Sequence, residues 1–126
     1  SILVDRYKKM QRGEQGEFTL FGDGSQSRDF VFIEDVIQAL LLVANKEEAL
    51  GRQFNVGTGN AISLIELIKV IDEALELSLT VKHETERDGD IKDSVADISR
   101  LKSLGFKPNF SIHEGMQKYL ESENLV

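Results

Sequence analysis

The side chain best suited to chemistry is Arg28, which closes a glycine-rich segment, residues 21–28, that reads F-G-D-G-S-Q-S-R. Glycines in such a turn let the backbone come close to a ligand, and a planar guanidinium matches the oxygens of a phosphate. The pattern therefore favours a phosphate-binding turn. The alternative is that Arg28 pairs with a surface carboxylate such as Asp23 or Asp29, an arrangement that carries little energy.

A second candidate is the loop at residues 87–90, which reads R-D-G-D. Arg87 could bind a phosphate and Asp90 a sugar hydroxyl, and the alternative is a solvated turn. The acidic residues of this loop lack the spaced oxygen ligands of an EF-hand, which argues against calcium binding.

The remaining polar motifs indicate structure rather than catalysis. Residues 57–60, G-T-G-N, do not continue as G-x-G-x-x-G, so we expect a strand-to-loop turn that requires small residues. His83 and His113 are isolated in sequence, which argues against a metal site or a general base. Neither Tyr7 nor Tyr119 has a lysine four residues later. We therefore expect no metal site and no catalytic residue in this chain.

Composition narrows the class of protein. The 126 residues are 40% hydrophobic and 29% charged, which predicts a single globular domain, residues 1–126, with a core of its own. A net charge of −7 argues against a nucleic-acid surface, which needs a basic stripe. No apolar run approaches the roughly 20 residues of a membrane span. The absence of cysteine and of a signal-peptide pattern agrees with a cytoplasmic protein that does not bind a membrane.

Hydrophobic periodicity and capping signals predict alternating helices and strands. Two S-x-x-E capping boxes open helices at Ser63 and Ser111, and Asp97 is the predicted N-cap of a short helix that Gly105 ends. The alternation favours an α/β fold. The predicted helices cover residues 2–12, 34–45, 63–74, 97–105 and 111–121, and the predicted strands cover residues 18–21, 53–56 and 77–82. Residues 30–33 are predicted to form a further short strand or an extended piece.

Taken together and in this order, the segments resemble the C-terminal part of the extended short-chain dehydrogenase/reductase family. The resemblance is to its NAD-dependent epimerases and dehydratases of nucleotide sugars, in particular the UDP-glucose and UDP-N-acetylglucosamine 4-epimerases. It implies the substrate-binding portion of a Rossmann-type fold and covers nearly the whole chain. The matching stretches are residues 21–35 (FGDGSQSRDFVFIED), 54–59 (FNVGTG), 63–68, 87–97 (RDGDIKDSVAD), 104–108 (LGFKP) and 111–116.

The resemblance implies a role for the first matching stretch in holding a nucleotide. Phe21, with the backbone of Thr19 and Leu20, would hold the uracil of a UDP-sugar. Gln26 and Ser27 would contact the nucleotide beside it.

The resemblance also assigns the charged residues of both candidate segments. Arg28 and Arg87 would bind the diphosphate from two sides, and Asp90 would reach the ribose. Two arginines on one diphosphate are physically reasonable, because each charge-assisted bond is strong and the planar fork fixes orientation.

The resemblance implies chemistry that this chain does not carry. Members of the family bind NAD in a Rossmann lobe and oxidise the sugar at C4 with a Tyr-x-x-x-Lys pair and a serine or threonine, then return the hydride. The chain has neither that pair nor a G-x-x-G-x-x-G motif. We therefore expect the cofactor NAD to belong to the parent enzyme, and the isolated chain to be inactive.

Without the NAD-binding lobe, residues 34–45 and 53–56 would leave apolar surface and a strand edge uncovered. We expect the isolated chain to pair with another copy, as a homodimer, or to be partly loose there. Three alternatives stay open at this point. The chain could belong to a dTDP- or UDP-sugar dehydratase or decarboxylase, it could be a non-catalytic module that binds a nucleotide diphosphate, or it could be a structural domain with surface arginines.

Overall fold

Helices and short strands alternate along the chain in the computed structural model, which describes residues 2–126. This confirms the predicted α/β class. The elements in order are α1 (Ile2–Gln11), β1 (Glu17–Phe21), β2 (Ser27–Arg28), α2 (Ile33–Ala44), a 3-10 turn (Glu47–Ala49), β3 (Ile62–Ser63), α3 (Leu64–Leu75), β4 (Thr80–Glu84), β5 (Asp93–Ser94), α4 (Ser99–Ser103) and α5 (Ile112–Ser122).

The strands form two small sheets that meet at one turn. β1 pairs in parallel with β4, with Phe21 opposite Glu84 at the carboxyl end. In the other sheet β2 lies between β3, to which it is antiparallel, and β5, to which it is parallel. Because β1 ends at Phe21 and β2 begins at Ser27, the glycine-rich turn joins the two sheets.

Both predicted capping boxes are present and fix the starts of the long helices α3 and α5. The Glu66 N–H donates to Ser63 Oγ at 3.2 Å, and the Glu66 carboxylate accepts from the Ser63 N–H at 2.8 Å. Ser111 and Glu114 repeat this arrangement at α5. The N-cap of α4 is Ile98, one residue after the predicted Asp97, although Asp97 Oδ1 still accepts the Ser99 N–H at 3.0 Å. Local sequence thus determines where these helices begin.

The core consists of two clusters. The first surrounds the fully buried Tyr7, whose hydroxyl donates to Asp72 Oδ1 at 2.8 Å, and burial is the main cause that raises the pKa of Tyr7. This tyrosine therefore joins α1 to α3 and stays protonated. The second cluster lies under α2 and contains Ala39, Ile98, Leu101 and Phe106, packed against Leu42, Val43, Phe54, Val56 and Ala96.

Three strand predictions need correction. Residues 30–32 form no strand, and Ile33 already belongs to α2. Residues 53–56 also form no strand, and no strand among residues 2–126 pairs with their backbone. Phe54 and Val56 instead pack into the second cluster through their side chains. The predicted strand at 77–82 lies instead at Thr80–Glu84. The first residues of the predicted segment instead end α3, since the Leu77 N–H donates to Asp72 O at 3.0 Å.

One face of α2 is apolar and open to solvent. Ile33, Ile37, Leu40 and Leu41 are 59%, 48%, 62% and 61% exposed, while Ala39 on the opposite face is 1% exposed. We call these four residues the α2 stripe. A contiguous apolar face of this kind is unusual on a monomer.

No helix between residues 2 and 126 is both long enough and apolar enough to cross a bilayer.

A buried carboxylate ties α2 to the segment before α5 and provides the first prediction. Asp35 is fully buried and accepts the Asn109 N–H at 2.8 Å and the Phe110 N–H at 3.2 Å. Asp35→Ala leaves both donors without a partner, so we expect the free energy of unfolding to fall by about 2 kcal/mol. Chemical denaturation measures this change. The matched control is Asp5→Asn at an exposed site of α1, where a change within about 0.5 kcal/mol is expected. Equal stabilities of the two variants would contradict the assigned role of Asp35.

Candidate functional site

The two candidate segments leave the same end of one sheet. Since β1 and β4 are parallel, their carboxyl ends lie side by side, and the Gly22 N–H donates to Glu84 O at 2.8 Å. The glycine-rich turn continues from β1, and the loop with Arg87 and Asp90 continues from β4. His83, near the end of β4, adds a contact, because its Nδ1 lies 2.8 Å from Gly22 O. Parallel pairing therefore brings together residues that are more than fifty positions apart in sequence.

Arg87 lies on the ring of Phe21. Its guanidinium carbon is 3.6 Å from the ring centroid, which is a close cation–π contact. Phe21 is half-buried and Arg87 is exposed. One face of the half-buried Phe21 ring therefore carries a charged side chain.

Arg28 is directed at the second segment. Its Nη1 donates to Ser27 O at 2.7 Å and to Lys92 O at 3.4 Å, and its Nη2 lies 3.8 Å from Asp90 Oδ1. Both side chains of this ion pair are about one-third exposed, so a phosphate can compete for the arginine at little cost. The partner of Arg28 is thus Asp90, and neither of the two carboxylates that the sequence suggested.

Those two carboxylates have other partners. Asp23 Oδ1 accepts the Ser25 N–H at 2.9 Å, and hydrogen bonds from Ser25 lower the pKa of Asp23. Asp23 is therefore an anion at neutral pH beside the turn. Asp29 is directed away from Arg28, into the loop at residues 57–60.

Gln26 and Ser27 hold the turn in place. Gln26 Nε2 donates to Phe21 O at 2.9 Å across the turn. Ser27 Oγ donates to Asp93 Oδ1 at 2.7 Å and so connects β2 to β5. Both side chains are half-buried at the rim of the site.

The backbone of β1 offers one open edge. β4 pairs along one side of β1, and the other side has no strand partner among residues 2–126. Backbone groups of successive strand residues point to opposite edges, and the Gly22 N–H points to β4. Those of Thr19 and Phe21 therefore point to the open edge. By the same alternation the backbone groups of Leu20 point to β4 and not to the open edge, so the uracil contact expected of them has no support in this geometry, and the Leu20 side chain is only 2% exposed.

Several of these residues line a narrow cleft, and Arg87 and Arg28 contact its lining through Phe21 and Asp90. Its volume is about 10 Å³, room for roughly one water molecule. In this conformation Arg87 covers Phe21 and Asp90 occupies Arg28, so a larger ligand must separate both pairs. The lining residues are Phe21, Gly22, Asp23, Ser25, Gln26, Glu86, Asp90, Ile91 and Lys92.

The loop at residues 57–60 is filled by a carboxylate of the chain itself. Asp29 accepts the Thr58 N–H at 2.9 Å, the Thr58 hydroxyl at 2.6 Å and the Gly59 N–H at 2.9 Å. A Cβ at Gly57 would lie 2.5 Å from Asp29 Oδ2, which confirms that this turn requires a small residue. The N–H groups that could cradle a cofactor phosphate are therefore occupied. This loop therefore does not fit the NAD that the family resemblance implies.

The sequence suggested Asp29 only as a surface partner of Arg28, and its role as a hydrogen-bond acceptor for residues 58, 59 and 96 was not predicted. Its acceptor role depends on residues 58, 59 and 96, and no spacing rule connects these positions to residue 29. The Arg28–Asp90 pair was also missed, although both residues were candidates. The eight candidate binding residues do fall in one region: Thr19, Leu20, Phe21, Gln26, Ser27, Arg28, Arg87 and Asp90 lie on β1, the glycine-rich turn, β2 and the loop after β4.

Comparisons with known proteins identify relatives of this chain. A family model, GDP-mannose 4,6 dehydratase, matches residues 3–119. UDP-glucose 4-epimerase of Mycolicibacterium smegmatis is 36% identical over 103 residues, which are 81% of this chain and 33% of that protein.

Two solved structures are also similar to this chain. The UDP-glucose 4-epimerase of Thermotoga maritima with UDP-glucose superposes with a TM-score of 0.75 at 29% identity, over 98% of this chain and 40% of that one. The UDP-glucuronic acid 4-epimerase of Bacillus cereus in complex with UDP-glucuronic acid and NAD gives a TM-score of 0.79 at 25% identity, with the same two coverages.

The chain spans about a third of the length of the curated relatives it matches, and about 40% of these two solved chains. Its α/β architecture is a portion of the extended short-chain dehydrogenase/reductase fold. Because the family model covers all but a few terminal residues, the chain belongs to the GDP-mannose 4,6 dehydratase family of nucleotide-sugar epimerases and dehydratases.

Proposed function

We propose that this chain is the nucleotide-sugar-binding, C-terminal portion of an NAD-dependent UDP-sugar 4-epimerase. The observation that carries the proposal is that Arg87 and Arg28 each contact a residue that lines one cleft, Phe21 and Asp90 respectively. The names of the relatives and the ligands of the solved structures support the same substrate class.

In this proposal the base binds at the carboxyl end of β1. The open edge offers backbone groups of Thr19 and Phe21, on either side of Leu20, to the polar edge of a uracil. The ring of Phe21 offers an apolar face once Arg87 moves away. Gln26, through its bond to Phe21 O, and Ser27, through its bond to Asp93, would hold the turn in place beside the nucleotide.

The diphosphate would replace the contacts that the two arginines now make with the protein. Arg28 exchanges Asp90 for a phosphate, and Arg87 exchanges the Phe21 ring for the other phosphate. Asp90 is then free to accept hydrogen bonds from the ribose hydroxyls. The exchange is favourable because a charge-assisted bond to a phosphate is stronger than an exposed ion pair.

The chemistry of the proposed parent enzyme lies outside this chain. NAD would supply oxidation at C4 and return of the hydride, and the Tyr-x-x-x-Lys pair would lie with it in the missing lobe. We assign no catalytic residue to this chain and expect the isolated chain to be inactive. A cytoplasmic location, expected from the sequence, stays a prediction.

Two other functions use the same site. The description of the matching family, a dehydratase, favours a sugar dehydratase or decarboxylase as the parent enzyme. The lack of a catalytic pair in the sequence favours a module that binds a nucleotide diphosphate without turnover. The catalytic residues of the parent enzyme distinguish the first of these from an epimerase, and the absence of any parent lobe would favour the second.

The site assignment predicts that the 126-residue chain binds UDP through both arginines. Loss of a charge-assisted hydrogen bond costs about 1.5–3 kcal/mol, so Arg28→Ala and Arg87→Ala should each weaken UDP binding about 10- to 100-fold. Isothermal titration calorimetry measures the affinities.

The matched control is Arg12→Ala, which removes an exposed arginine whose partner, Glu14, does not line the cleft, in contrast to the partners of Arg28 and Arg87. This variant should bind UDP as the wild type does. Unchanged affinity in both Arg28→Ala and Arg87→Ala would make the site assignment wrong, and absence of UDP binding by the wild type would favour a structural domain.

We further propose that the α2 stripe is covered by the NAD-binding lobe in the parent enzyme and by a second copy in the isolated chain. Leu41→Glu places a charge in the middle of the stripe, so it should shift a dimer towards monomer in sedimentation velocity. Lys69→Glu, at an exposed site of α3, is the control and should leave the distribution unchanged. A wild-type chain that is monomeric at about 100 μM, well above a micromolar Kd, would overturn the self-association proposal.

A further inference from the structure

We infer that Asp29 is a positioning residue for the diphosphate site: it holds the strand of Arg28 against the strand that ends the Arg87 loop. The inference rests on the proposed function, because it explains how the two arginines keep their relative placement. It concerns a residue that contacts neither the cleft nor the proposed ligand.

Asp29 joins three segments through its side chain. Oδ1 accepts the N–H and the hydroxyl of Thr58 at 2.9 and 2.6 Å. Oδ2 accepts the Gly59 N–H at 2.9 Å, the Thr58 N–H at 3.1 Å and the Ala96 N–H at 3.3 Å. One carboxylate therefore connects β2, the loop at residues 57–60 and the segment that follows β5.

The connection matters because the strands themselves are very short. β2 and β5 contain two residues each. The backbone bonds that flank them are from the Ser27 N–H to Lys92 O at 2.8 Å and from the Asp29 N–H to Ser94 O at 3.0 Å. So few backbone bonds make the register between β2 and β5 depend on side-chain ties, of which the bond from Ser27 Oγ to Asp93 Oδ1 is one and the Asp29 carboxylate is the other.

The same ladder supports the guanidinium of Arg28. Nη1 rests on Ser27 O and Lys92 O, which lie on β2 and immediately before β5. Lys92 also ends the loop that carries Arg87 and Asp90. A shift of β5 along β2 would thus move the support of Arg28 and the anchor of the Arg87 loop together.

A carboxylate is required in this position. Its partners are all N–H or O–H donors, and none of the ion pairs between described residues involves Asp29. Asparagine keeps one acceptor oxygen and turns an NH₂ towards the remaining donors. Asp29→Asn should therefore loosen one side of the tie with almost no change in side-chain volume.

The test compares UDP with uridine, which lacks the diphosphate, in the 126-residue chain. Asp29→Asn should weaken UDP binding about tenfold, within the range of couplings between contacting residues, and change uridine binding less than about twofold. Calorimetry gives the UDP affinity and NMR titration the uridine affinity. Unchanged UDP binding, or an equal loss for UDP and uridine, would overturn the inference.

Asp35→Asn is the matched control, because Asp35 is also a buried carboxylate that accepts two backbone N–H groups. It should lower the melting temperature and leave the ratio of the two affinities unchanged. A purely structural role for Asp29 predicts the same behaviour for Asp29→Asn, and that result would also overturn the inference.

A double-mutant cycle shows whether Asp29 acts through Arg28. In the Arg28→Ala background, Asp29→Asn should cost less than about twofold in UDP affinity, because the group that it positions is gone. A full tenfold loss in that background would show independent action and contradict the inference.

The outcomes separate this inference from the proposed function. If the wild type does not bind UDP, or Arg28→Ala has no effect, both fail. If Arg28→Ala weakens binding and Asp29→Asn does not, only the positioning role fails. Should Asp29→Asn not fold by circular dichroism, Thr58→Val replaces it, since it removes the hydroxyl donor to Asp29 and keeps all three backbone N–H donors. About a threefold loss for UDP alone is then expected, and no selective loss contradicts the inference.

Discussion

The parallel pairing of β1 with β4 is the constraint on which the site depends. Parallel strands end at the same edge, so the glycine-rich turn after β1 and the loop after β4 start side by side. Neither segment alone contains more than one arginine. Joined at this edge, they place Phe21 and Asp90 in the lining of one cleft with Arg87 and Arg28 in contact with them, and the other contacts of the region keep the two segments in register.

Local sequence signals predicted much of the fold. The capping boxes at Ser63 and Ser111 and the apolar periodicity of α2 determine their own elements, because the interacting groups lie within one or two helical turns. The strand predictions at residues 30–33 and 53–56 failed for the opposite reason. A strand exists only where a second strand supplies hydrogen bonds, and no sequence window contains that information.

In the candidate site, too, local features were predictable from the sequence and long-range contacts were not. The arginines were identifiable from residue type and nearby glycines, and the family resemblance named the residues around them. The pairing of Arg28 with Asp90 and the five contacts of Asp29 were not predictable, since they join residues that are 29 to 67 positions apart in sequence. The exposed α2 stripe and the unpaired residues 53–56 belong to a chain that spans about 40% of the structures it resembles.

The most direct test of the central claim is a crystal structure of the chain with UDP bound. We expect that Arg28 and Arg87 each contact a phosphate, that Arg28 no longer pairs with Asp90, and that Arg87 has left the ring of Phe21. A diphosphate bound elsewhere, or a bound UDP with both of these pairs intact, would contradict it.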